Sequence, residues 1–284
     1  PLHFIITLIA GGDWVEVEVR HSHRNIVRIT KNQEVVFEVE DKVDVIERAD
    51  RSDLSIENIY DFANEVELRR ILPYTQRQIA CNMAIAQEGL TNNYGARIGQ
   101  VLLRSYGNDV HVRAKAWAAA ASDARMNGCE LPVCIISGSG NQGMTASVPV
   151  VVYARAWHTD EETLLRALLV SNLITVHQKT GIGCLSAYCG AISAGVGAGA
   201  GITYLYGGKH REIAHTIVNA LAIDSGIICD GAVRSGKTMA LTCGFFLWSM
   251  ACFDRQVFAL CGKTILSVRR NLLEELIPLL EGME

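Results

Sequence analysis

The stretch "PVCIISGSGNQGMTASVPV", residues 132–150, decides the fold, because it sets G-x-G-x-x-G at Gly138, Gly140 and Gly143 directly after an apolar run. A dinucleotide-binding fold would need a long helix after those glycines and then a second strand ending in an acid. Pro149 follows Gly143 by only six residues, and Asp160 follows a helix-like segment rather than a strand. The context therefore excludes that fold. Two readings remain. In one, the glycines make a tight turn where helices meet. In the other, they let backbone N–H groups approach a small anionic substrate, while Ser137, Ser139, Asn141, Gln142 and Thr145 supply uncharged hydrogen-bonding groups. So many polar side chains between apolar segments favour the second, which makes these five residues with Gly138, Gly140 and Gly143 the candidate substrate site.

Toward the N-terminus the pattern is that of strands. "HFIITLIA", "DWVEVEVR", "RNIVRIT" and "EVVFEV" within residues 3–39 are rich in β-branched residues, and two of them alternate clearly with period two. Gly11 with Gly12, and Asn32 with Gln33, mark turns. After Asp50 the spacing becomes helical. "SIENIYDFANEVELRRIL" opens at a Ser55 cap and is expected to end before Pro73. Further helices are expected over 74–88, 92–105, 109–126, 144–156, 160–178, 185–204 and 210–224, separated by glycine-containing breaks.

The composition bounds the function. The chain has 284 residues, 49% of them hydrophobic, and can bury a substantial core. A formal charge of -4 spread along the chain gives no electrostatic footprint for nucleic acid or an anionic membrane. Nine cysteines lie in apolar stretches without the close pairing of a secreted scaffold, so a reducing, cytoplasmic compartment is expected. Residues 180–208 are long enough and uncharged enough to span a bilayer. Their glycines and alanines suit close helix contact in a buried core equally well, and no membrane partner is expected. A start at Pro1 without Met reads as an incomplete N-terminus.

"ISGSGNQGMTASVPVVVYA" (136–154), "LSAYCGAISAGVGAGAGITYLYGG" (185–208) and "SGIICDGA" (225–232) resemble signature segments of the L-cysteine desulfidase family, which is related to the α-chain of bacterial iron–sulfur L-serine dehydratases. The likeness covers about residues 1–232. It implies a lyase that removes the β-substituent of L-cysteine or L-serine, the resulting enamine hydrolysing to pyruvate and ammonia. It also implies a [4Fe-4S] cluster with Cys189 and Cys229 among its ligands, and places His23, in "RHSHRNIVRIT", near the site. It leaves room for a homo-oligomer. Two departures stand out. The family's "G-C-T-E-P" segment does not occur, and the cysteine expected seven positions after Cys229 is Gly236. An incomplete cluster and an impaired elimination are therefore expected.

Gly236 belongs to a second pattern. "GAVRSGKT", residues 231–238, has the G-x-x-x-x-G-K-T spacing of a phosphate-binding loop, in which Gly231 and Gly236 shape the loop, Lys237 reaches the phosphates of ATP and Thr238 holds Mg²⁺. With the strand, helix and strand expected around it, residues 227–271 resemble the start of the ATPase domain of phage terminase large subunits. Nucleic acid would be a partner only under that alternative. No acidic strand follows to orient water, so hydrolysis is not expected. Both likenesses share "IICDGA", and a join of two unrelated sequences at that string accounts for both. The expectation is thus an α+β chain: a small antiparallel β portion (1–50), a mostly helical lyase-like domain (51–230) and a truncated P-loop segment (231–284). A helical protein that binds an amino acid without turning it over is the remaining alternative.

Overall fold

The computed structural model describes residues 2–21, 24–39, 50–182 and 190–224. The chain divides into two units, the first Pro1–Asp50 and the second from Arg51 onward.

The first unit is an antiparallel meander of β1 (His3–Ala10), β2 (Asp13–Arg20), β3 (Ile26–Lys31) and β4 (Glu34–Glu38), in that spatial order. Gly11 and Gly12, with φ of 59° and 102°, close the first hairpin, and Asn32 and Gln33 (45° and 75°) close the third turn. Two residues at positive φ match the right-handed twist of the flanking strands. Asn32 adds its side chain to the turn by accepting from the Trp14 N–H at 2.8 Å. The register Ile6↔Val17↔Ile29↔Phe37 gathers the apolar positions on one face. The opposite face carries Glu18, which accepts from Arg20 at 2.6 Å and pairs with His3 at 2.8 Å. Arg20, ahead of His3, holds the Glu18 carboxyl below the usual carboxylate range.

The described part of the second unit is helical: α1 (Ile56–Glu65), α2 (Leu68–Thr91), α3 (Ile98–Tyr106), α4 (Val110–Met126), α5 (Gly140–Ala156), α6 (Glu161–Ile182), α7 (Gly190–Leu205) and α8 (His210–Asp224). A small antiparallel sheet followed by a helical body is the architecture expected. Helix α5 is central, packed by α2, α4, α6 and α7, and every residue from Gly140 to Ala154 is buried. A helix apolar all round has no solvent face to offer, which is why "MTASVPVVVYA" shows no polar stripe. Met144, Val148 and Val151 join Ile85, Ala118 and Leu168 in one cluster, while Ile59, Ile174, Val196 and Ile213 form a second.

Small residues set the helix spacing. A Cβ on Gly89 of α2 would strike the Ala120 carbonyl of α4, one on Gly99 of α3 the Ala116 carbonyl, and one on Gly197 of α7 the Ser171 carbonyl of α6. These helices meet backbone to backbone. Within the uncharged stretch that could have crossed a bilayer, Gly190–Leu205 is the largely buried helix α7, and among the described residues no helix is long and apolar enough to cross a membrane.

Several boundaries differ from expectation, and α3, expected from residue 92, begins at Ile98. The segment expected to be helical from Ser55 to Pro73 is two helices. Ser55 caps α1 as expected, accepting from the Asn58 N–H at 3.1 Å. The chain then leaves the helix at Val66, because Arg166 of α6 donates to the carbonyls of Ala63 (2.5 Å) and Asn64 (2.8 Å) and so replaces the missing helical donors. Helix α2 continues through Pro73, whose absent N–H removes one bond in its second turn. Finally, α5 begins at Gly140 rather than at 144, and it contains Pro149. The expected P-loop segment lies outside the described residues.

Candidate functional site

Gly140, Asn141, Gln142 and Gly143 are not a loop but the first turn of α5. Ser139 is the N-cap, its hydroxyl accepting from the Gln142 N–H at 3.4 Å. The N–H groups of Gly140 and Asn141 point out of the turn without intrahelical acceptors, as at any helix start. Gly140 and Gly143 are required by their neighbours. A Cβ on Gly140 would lie 2.5 Å from Nε of Arg125, and one on Gly143 would overlap the Cys134 carbonyl.

Side chains around this turn are fixed by a polar network. Ser137 donates to Oε1 of Gln142 at 2.8 Å, and Arg125, from the end of α4, donates to Oδ1 of Asn141 at 3.2 Å. Asn82 of α2, fully buried, accepts from the Cys134 N–H at 2.8 Å and donates to the Cys134 carbonyl at 3.3 Å and to Ser147 at 2.9 Å. Ser147 in turn donates to the Gly143 carbonyl at 2.7 Å. One asparagine therefore ties the approach segment to both α2 and α5. Asn141, Gln142 and Thr145 are each at least nine-tenths buried.

The starts of two helices converge here. A Cβ on Gly190, the first residue of α7, would overlap the side-chain amide of Gln142. Gly190 directly follows Cys189 in the sequence. The sequence reading missed a third contributor, Lys179. Ser171 of α6 donates to the Ala146 carbonyl at 2.7 Å, and Thr175 faces Gly197 of α7. Lys179 follows Thr175 by one helical turn in this row of α6. There Lys179 is only 6% exposed, and it has no hydrogen bond or ion pair with the described residues. A buried ammonium is costly without an anion or acceptors beside it.

His23, Cys189, Cys229 and the loop residues Gly231, Gly236, Lys237 and Thr238 lie outside the described residues. Among the described residues no three His, Cys, Asp or Glu side chains come together to hold a metal ion. The described cysteines Cys81, Cys129 and Cys134 are free and part-exposed.

Comparison with known proteins gives a consistent result. Residues 21–237 match the family described as serine dehydratase alpha chain. The chain is 56% identical over 239 residues to a UPF0597 protein of Desulfitobacterium hafniense (strain Y51), covering 83% of this chain and 56% of that protein. It is 53% identical over 234 residues to one of Lachnoclostridium phytofermentans (82% and 56% covered), and 37% identical over 237 residues to one of Vibrio parahaemolyticus (81% and 56% covered). The chain thus spans little more than half the length of these relatives. No solved structure matches it. The family match runs past "IICDGA" to Lys237, and the terminase reading finds no support in these comparisons.

Proposed function

The chain belongs to the serine dehydratase alpha chain family, and on that premise we propose that the first turn of α5 binds a small amino acid for β-elimination to pyruvate and ammonia. The observation that carries this reading is the burial of Asn141, Gln142 and Thr145 at the start of a helix otherwise lined by apolar residues. The first N–H groups of α5, those of Gly140 and Asn141, with the positive end of the helix dipole, are suited to a carboxylate. Arg125, bonded to Asn141, and the buried Lys179 would supply the positive charge that a buried carboxylate needs for pairing. Ser137 holds Gln142 by its carbonyl oxygen and leaves the amide nitrogen, beside Gly190, to orient the substrate. The closed flanks of α5 keep water from the reacting carbons.

A [4Fe-4S] cluster with Cys189 and Cys229 as thiolate ligands belongs to the same proposal, where an open iron would act as a Lewis acid on the substrate. With Gly236 in the position of a third thiolate, this chain should bind its amino acid better than it converts it.

The test pairs calorimetry with L-serine and L-cysteine to a pyruvate assay after anaerobic reconstitution with iron and sulfide. Binding is expected, with slow pyruvate release, and Lys179→Met should weaken binding about tenfold or more, since a lost ion pair in a buried site exceeds about 1.4 kcal/mol. An inert response to both amino acids in both assays overturns the reading.

A further inference from the structure

The far end of α5 borders a hollow that the proposed elimination does not use. It has a volume of about 190 Å³, lies between α2, α4 and α5, and is lined by Met83, Arg113, Trp117, Val152, Arg155 and Ala156. Arg155 follows Asn141 by fourteen residues, about 21 Å along the helix at about 1.5 Å per residue, so the hollow is separate from the first turn of α5. We propose that it is a second ligand site, which takes a small anion with a flat apolar body, of the arylcarboxylate class.

The lining selects that chemistry. Its nitrogen-bearing side chains, two guanidiniums and an indole, only donate hydrogen bonds, and no carboxylate, amide or hydroxyl side chain stands among the six. The side chains of Arg113, Arg155 and Trp117 have no hydrogen bond or ion pair with the described residues. For Arg113 a partner was within reach. Asp109 precedes it by four residues, the spacing at which ion pairs form on a helix, yet the Asp109 carboxylate stands 3.7 Å from His111 instead. Two positive charges thus border a lining with no negative one, and a carboxylate accepts from guanidinium forks in matched pairs of bonds. The rest of the lining is apolar, with Met83 and Val152 buried. An ion without an apolar body would leave that surface uncovered, whereas a ring packs well on an indole and a thioether. Pockets for drug-sized ligands run to roughly 300–1,000 Å³, so a hollow of about 190 Å³ suits a single ring with its carboxylate.

Calorimetry on the chain tests this with phenylacetate as the probe, beside 2-phenylethanol, which has the ring without the charge, and acetate, which has the charge without the ring. Phenylacetate should bind with a Kd below about 1 mM, and each partial analogue at least about tenfold more weakly. Arg113→Gln and Arg155→Gln should each weaken phenylacetate about tenfold. Arg155 is exposed, so its variant serves if Arg113→Gln folds poorly. Excess L-serine should not displace the probe. Absence of phenylacetate binding, equal binding of 2-phenylethanol, or indifference to both arginine substitutions overturns the proposal. So does displacement by L-serine, which would put the probe at the start of α5. Neither turnover nor L-serine binding is needed for the phenylacetate measurement, so this site stands or falls apart from the proposed elimination.

Discussion

The four-stranded sheet and the helical unit are held in shape by opposite means. In the sheet, large β-branched and aromatic side chains alternate with charged ones, and Leu8 remains 71% exposed. In the helical unit, alanines and glycines dominate the contacts, and the Gly89 and Gly99 positions allow no side chain at all against α4. A sheet built on alternation tolerates a changed side chain because its shape comes from hydrogen-bonded pairing. Helices at backbone contact take their shape from what is missing between them, so any added atom must move a whole helix.

The difference can be broken at its strongest point first. Gly89→Val forces α2 off the Ala120 carbonyl and should destabilise the chain by about 3 kcal/mol or prevent folding, read from the urea midpoint. Tolerance of valine there would remove the backbone-contact account.

A smaller, pH-dependent effect is expected at Asp123, on α4, which accepts from the Ile98 N–H at 2.7 Å and so caps α3. Burial raises its carboxyl above the ordinary value of 3.8, with the Ile98 bond opposing that rise. A raised folded-state value favours the protonated form, so its contribution is complete below pH 3.8 and is lost as pH rises through the raised value. Asp123→Asn keeps an acceptor for Ile98 and cannot titrate. Thermal unfolding of the two proteins from acid to neutral pH should show the natural chain losing stability relative to the variant. A gap that does not change with pH would show that burial at Asp123 has no electrostatic consequence.

At the weak end, Leu8→Thr on β1 places a β-branched residue at an exposed strand position and should change stability by less than about 0.5 kcal/mol. A large loss would mean that the two regions are not built so differently.

The sheet was legible because alternation, Gly11–Gly12 and Asn32–Gln33 each point the same way. Helices α4 and α8 followed from periodic spacing bounded by glycine. The start of α5 was not legible as read, since glycine and polar side chains together suggest a loop. A signal was present: Ser139 followed three residues later by Gln142 is a capping-box pattern, and the Ser139 hydroxyl does accept from the Gln142 N–H. The break at Val66 had no local signal, because its cause, Arg166, lies a hundred residues away. Lys179 was passed over since lysine is ordinarily a surface residue. Its place in the row Ser171, Thr175, Lys179, two small hydroxyl residues at helical spacing before it, was the available clue.

The enclosure of α5 also governs traffic. Its flanks from Gly140 to Ala154 are closed, while Gly138 and, at 61%, Ile135 face solvent. On the proposed function, a small molecule would reach this helix at its N-terminal end, past residues 135–138, and not along its flanks. Selectivity by size would then be set by that strap of chain, and a change in it would alter which guests are admitted without touching the groups proposed to hold them.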